Sequence, residues 1–248
     1  MNWGEHLDEY CERSSAAFWA EPVNAVSNLA FLVAALAIWR ALRPFPRVPT
    51  SIALLAPGIA LIGIGSFAFH TLATRWSQVL DVLPITVFVL FCLAGFLRWF
   101  HGLGWRRCAL GVAAFVAFTA VFGALVGDFV PNRSGMYVPV LLLLTGLAVT
   151  LRASREPGRA RQWREFAAAA VVFAVALCAR TVDEAICTPF PLGTHFLWHT
   201  LDAVLVFLVS HALIHRWRHL TDPDGATAVG ERRAGAGAEE PRAPRGSG

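Results

Sequence analysis

Seven stretches of largely apolar residues, at 24–42, 51–70, 78–99, 106–127, 136–152, 164–180 and 195–216, leave this chain few ways to fold. A bilayer core takes about 20 apolar helical residues to cross, and only a helix or a closed barrel satisfies its backbone there. Runs of this length predict helices. Charged residues make up 15% of the chain, against about 25% in soluble domains, so these stretches are not the interior of a water-soluble protein. The expected fold is an all-α membrane protein, with seven transmembrane helices in a domain covering residues 24–219. Residues 1–23 read as a polar N-terminal segment, without the basic start and short apolar run of a cleavable signal. Residues 220–248, mostly Gly, Ala, Arg, Glu and Pro, cannot bury a core and are expected to be disordered. The chain carries no internal repeat and no nucleic-acid-binding pattern.

All 21 basic residues are arginine, which reads as GC-rich coding and so as a bacterial chain. Seventeen of them fall around the loops joining spans 1–2, 3–4 and 5–6 and in the C-terminal tail; Arg13, Arg75, Arg133 and Arg180 are the others. Cytoplasmic loops collect the positive charge. The N-terminus is therefore expected outside and the C-terminus in the cytoplasm, which requires an odd number of spans. Because the arginines serve topology, the net charge of +4 says little about partners.

Ionisable side chains within such spans are costly unless something binds them. At the outer ends of three spans a set of them lies at one depth, and away from the span ends there is no other charged residue. Span 2 runs outward, so Ser66 and His70 lie at its outer end; span 3 starts outside, with Asp81 about one turn in. Span 7 also starts outside and carries His195, His199 and Asp202, which fall within roughly 60° of helical arc. Three neutral imidazoles suit Zn²⁺ and leave its fourth position for water, whose pKa zinc lowers toward about 7. Asp81 fits the role of proton shuttle, and Ser66 that of donor to a developing oxyanion. In Gly63-Ile-Gly65-Ser66, close helix packing is the alternative use of a small residue. Asp202 suits an outer position, accepting from the free N–H of a ligating histidine. His211, His215 and His219 repeat the four-residue spacing at the other end of span 7, among Arg216 and Arg218. Positive charge disfavours a metal there, and these read as interfacial anchors.

The pattern Ser66-x-x-x-His70, then Asp81, then His195-x-x-x-His199 in the last span resembles the alkaline ceramidases, within a wider superfamily of seven-span hydrolases that includes the progestin and adiponectin receptors. Tyr10-Cys11-Glu12 and Trp19-Ala-Glu21-Pro-Val-Asn24-Ala-Val-Ser27-Asn28 resemble that family's N-terminal signature, and the likeness runs from about residue 9 to 216. The resemblance implies a zinc amidase cleaving the N-acyl bond of ceramide, or of a related N-acyl lipid entering from the bilayer, with His70, His195 and His199 as ligands and Ser66 and Asp81 assisting. It also implies a calcium ion held by Glu9, the Tyr10 carbonyl, Glu12, Ser14 and Glu21, in a segment about two residues shorter here. A solvated acidic N-terminus is the alternative. A disulfide between Cys11 and Cys187 follows from the family's comparable bridge, both residues lying in outside segments; Cys92, Cys108 and Cys178 read as buried apolar residues. Trp198, next to His199, is expected to line the acyl or head-group pocket, or simply to pack.

Two other classes compete with an enzyme. A seven-span receptor would keep the zinc as a structural ion. A metal transporter needs a polar path across the bilayer, and the inner halves of these spans offer little of one.

Overall fold

The computed structural model describes residues 2–126 and 129–221. Seven helices there are long and apolar enough to cross a membrane: α1 (Pro22–Leu42), α2 (Thr50–Leu72), α3 (Arg75–His101), α4 (Trp105–Val126), α5 (Ser134–Arg152), α6 (Gly158–Val182) and α7 (His195–Thr221). No strand occurs among the described residues. This is the all-α, seven-span architecture that hydropathy predicts.

Differences at the helix ends have local causes. α3 begins at Arg75, three residues before the apolar run, because Thr74 and Ser77 cap each other: the Thr74 hydroxyl accepts from the Ser77 N–H, and the Ser77 hydroxyl from the Thr74 N–H at 2.9 Å. α1 begins at Pro22, whose missing N–H and fixed φ suit a first helical position. α7 continues to Thr221, two residues past the expected domain end, and residues 222–248, where a tail was expected, lie outside the described residues.

The bundle places α7 at its centre, packed on α6, α1 and α3, with α1 on α2, α2 on α3, and α5 on α6; α4 lies at the edge, mainly against α3. Leu61, Ile64, Leu110 and Val149 point outward and are exposed, as side chains bathed in lipid should be. Cys92 and Cys108 are buried, but Cys178 is exposed on α6, so only two of the three unpaired cysteines are interior.

Two glycines of α2 set the approach of its neighbours. A Cβ on Gly65 would strike the Leu80 carbonyl oxygen of α3, and one on Gly63 would meet Phe31 Cβ of α1 at 2.9 Å. Small residues let membrane helices come this close. Gly65→Ala is therefore expected to lower stability by about 1–3 kcal/mol through overpacking. Gly146→Ala, where a Cβ meets nothing within 4 Å, should not. Thermal unfolding of the two variants in one detergent checks this.

Residues 5–21 cross the end of the bundle where α2 closes and α7 begins. The Leu7 N–H donates to Ala73 O (2.7 Å), and the Arg75 N–H to Glu5 O (3.2 Å). A disulfide joins Cys11 to Cys187. Asp183, fully buried, accepts from the Cys11 N–H at 3.1 Å through one oxygen. Its other oxygen takes the Thr194 and His195 N–H groups at 2.5 and 2.9 Å, capping the first turn of α7. Gly193 has φ 63, and a Cβ there would collide with that carboxylate.

Candidate metal centre

The last turn of α2 and the first two turns of α7 bring His70, His195 and His199 together. Their ring centroids lie 4.6–5.1 Å apart, one ring nitrogen from each lies within 4.8 Å of the others, and all three are buried. Histidines in such positions need partners, and most of theirs come from the segment laid across the bundle end.

His70 Nδ1 lies 2.6 Å from the Glu21 carboxylate. A carboxylate accepts, so the proton sits on Nδ1 and the Nε2 lone pair is free; Nε2 is buried with no protein partner. His199 Nδ1 lies 2.7 Å from Ser27 Oγ. Ser27 gives its one hydroxyl proton to Asn24 O, also at 2.7 Å, so it accepts from His199 Nδ1–H. Both imidazoles are thereby fixed as tautomers whose Nε2 can only accept or coordinate, the arrangement that outer partners impose on metal-binding histidines. His195 Nδ1 is likewise buried and unpartnered. Unpaired buried nitrogens cost stability, and a cation between the three rings would offset that. The donor set fits a metal that accepts imidazole nitrogen.

Ser66 is buried, with Oγ 3.4 Å from His199 Nε2. The close packing falls to Gly63 and Gly65, leaving the Ser66 hydroxyl aimed at the histidines. Asp81 has a buried Oδ1 without a partner and lines a cleft of roughly 310 Å³. Glu9, Gln78, Arg133, Arg180 and Tyr137 also face that cleft, which opens at the end of the bundle carrying the N-terminal segment.

Asp202 is the main departure from the sequence reading. No hydrogen bond links it to a histidine among the described residues, and its Oδ1 has no partner. It faces an apolar cavity one turn further along α7. Helical arithmetic gave it the right face, but three residues of rise, about 4.5 Å, carry it past the imidazoles. Glu21 and Ser27 hold the positions expected of it.

The acidic residues assigned to calcium are not gathered either; the one metal-competent group of His, Cys, Asp and Glu found among the described residues is the three histidines. Glu9 accepts from Gln78 and Arg133 (2.9 and 3.0 Å). Glu12 takes the Val23 and Asn24 N–H groups at 2.7 and 2.8 Å, capping α1. Glu21 is shared by His70, Asn24 and Arg13. Ser14 is exposed. The cation among them is the buried Arg13 guanidinium, which pairs with Glu21 and donates to His70 O at 2.9 Å. Burial pushes the Glu21 carboxyl up, but its bond to His70 and the His70 and Arg13 charges outweigh this and hold it below the usual carboxylate range.

Tyr10, assigned to calcium through its carbonyl, also places its ring flat on His195, with centroids 3.6 Å apart. Burial pushes its phenol well above the usual value, with the Arg180 cation opposing. Arg180, one of the four arginines outside the arginine-rich loops and tail, is buried. Its guanidinium stands over Tyr137, Trp198 and Tyr10 at 5.2, 5.8 and 6.0 Å, tied to Asn132 O and Ser134 Oγ. Trp198 lines the same apolar cavity as Asp202.

At the opposite end, His211 lies 3.4 Å from Glu165 of α6, and His215 lies 3.0 Å from Gln162. A carboxylate does stand near this second series, contributed by a neighbouring helix. The three histidines there nevertheless form no metal-competent group.

The sequence model of a protein family described as Ceramidase matches residues 7–225, nearly nine-tenths of the chain. No curated protein matches.

Proposed function

The chain belongs to the ceramidase family, and from that premise we propose that it is an intramembrane, zinc-dependent amidase hydrolysing the N-acyl bond of ceramide or a related N-acyl lipid. The observation that carries this reading is the pair of imidazoles, His70 and His199, fixed with Nε2 lone pairs turned toward His195, beside an unpaired Asp81 and between a polar cleft and an apolar cavity. The amide of a lipid would lie there, with its polar head in the cleft and one chain among the apolar side chains.

His70, His195 and His199 would hold the zinc ion, which when bound supplies Lewis acidity and lowers the pKa of neighbouring water to about 7. Asp81 takes the proton that the attacking water gives up and passes it to the leaving amine nitrogen. Ser66 donates to the carbonyl oxygen as that oxygen gains charge. The C–N bond breaks to a fatty acid and a sphingoid base or amine. The arginine distribution supports an integral membrane protein whose site faces away from the cytoplasm.

The deciding experiment incubates purified protein with N-acyl sphingoid bases, with and without a chelator, and quantifies released fatty acid by mass spectrometry. Release that the chelator abolishes and zinc restores supports the amidase. Stoichiometric zinc without release would make this a seven-span receptor with a structural ion.

Ser27→Ala tests the outer partners of the site. His199 Nδ1–H loses its acceptor while the volume barely changes, so zinc affinity should fall about 10- to 100-fold with the fold retained. Competition against a chromogenic chelator measures it; unchanged affinity would remove Ser27 from the site.

A further inference from the structure

Asp202 belongs to neither the metal ligands nor their outer partners, yet it is a buried carboxylate, 8% exposed, that lines an apolar cavity and has no protein partner for Oδ1. Burying such a group costs stability unless something hydrogen-bonds to it. The cavity, of about 50 Å³, has walls mainly from Phe31, Ile62, Phe88, Phe173 and Leu205, with Tyr137 and Trp198 the other side chains that carry a polar atom. A donor carried on an apolar chain would suit this place, since most of the walls are hydrocarbon. Beyond Asp202 the cavity shares Phe88, Val89, Val140, Leu205 and Val206 with a second apolar space that ends at Cys92, Phe96 and Phe166. In the other direction Tyr137 is common to this cavity and to the polar cleft beside Asp81. An apolar chain on this path passes Asp202 soon after leaving the reaction centre.

Resting on the amidase reading, we propose that Asp202 is a specificity residue that accepts a hydrogen bond from a hydroxyl on the substrate's acyl chain, so that hydroxyacyl amides are the preferred substrates. The polar groups of a sphingoid head fit the cleft lined by Glu9, Gln78, Arg133 and Arg180, which leaves the apolar path to the acyl chain. Asp202 lies three residues beyond His199, about 4.5 Å along the helix. That rise is short, so the hydroxyl belongs near the amide end of the acyl chain, at its second or third carbon. Sites that hydrogen-bond a substrate hydroxyl reject analogues lacking it, because their own polar group is then left unpaired.

The test compares N-acyl sphingosines that differ only in a 2- or 3-hydroxyl on an otherwise identical acyl chain. The native protein should prefer one hydroxylated form by about 10- to 100-fold in kcat/KM, most of it in KM. In Asp202→Leu the ratio should fall to near one, and in Asp202→Asn to an intermediate value. Removing a buried unpaired carboxylate should not unfold the protein. Binding of the intact lipids to chelator-treated protein should show the same preference in the native protein and lose it in Asp202→Leu. A native ratio near one in both measurements, or a ratio that Asp202→Leu leaves intact, overturns the proposal. If no amide is cleaved, the amidase reading fails, while the binding comparison still decides the role of Asp202.

Discussion

His199→Ala is expected to remove bound zinc and amide cleavage together. The side chain is buried, and Ser27 fixes its Nδ1–H, so Nε2 is committed to the centre. Without it two imidazoles remain, against the three protein ligands usual in a hydrolytic zinc site. Zinc measured by elemental analysis should drop from about one per chain to none, and fatty-acid release to background. His211→Ala provides the contrast within the same helix. It removes an imidazole from an identical four-residue spacing, but one that faces Glu165 at the far end of the bundle. That variant should keep its zinc and its rate. A His199→Ala protein that retained stoichiometric zinc would place the metal elsewhere.

Asp81→Asn should separate metal binding from turnover. Asn has the same shape, and Asp81 Oδ1 holds no protein hydrogen bond to break, so neither fold nor zinc content should change. What disappears is the ability to take a proton from water and deliver it to the leaving nitrogen. Losing a positioned general base typically costs about 10²–10⁴-fold, so kcat should fall by that order with KM little altered. Full turnover in Asp81→Asn would remove the residue from the mechanism.

The spans were readable because lipid imposes a one-dimensional rule: about 20 apolar residues per crossing, with charge kept to the ends. That rule also gave depth to each ionisable residue, and depth separated His70, His195 and His199 from the equally spaced series at 211–219. The ends were less readable. Thr74–Ser77 is a capping box built with serine where glutamate or glutamine is usual, and α7 outlasts its apolar run.

The outer partners could not be read in this way. Glu21 and Ser27 reach the histidines because residues 5–21 cross the bundle end, held by Asp183, the Cys11–Cys187 disulfide and the turn between α2 and α3. Glu21 was visible as an acidic residue in a family-like segment, but its partner in the centre, His70, lies 49 residues away. Periodicity put Asp202 on the face of His195 and His199, and a face does not specify a contact.

The sequence alone determined a seven-helix membrane protein with three imidazoles at one level, because the price of burying charge in lipid is written along the chain. Only the tertiary structure decided which carboxylate and hydroxyl orient those imidazoles, that a guanidinium and not a gathered acidic site stands beside Glu21, and that Asp202 faces a cavity. Hydrogen bonds act over about 3 Å, and the groups they join here lie up to 172 residues apart.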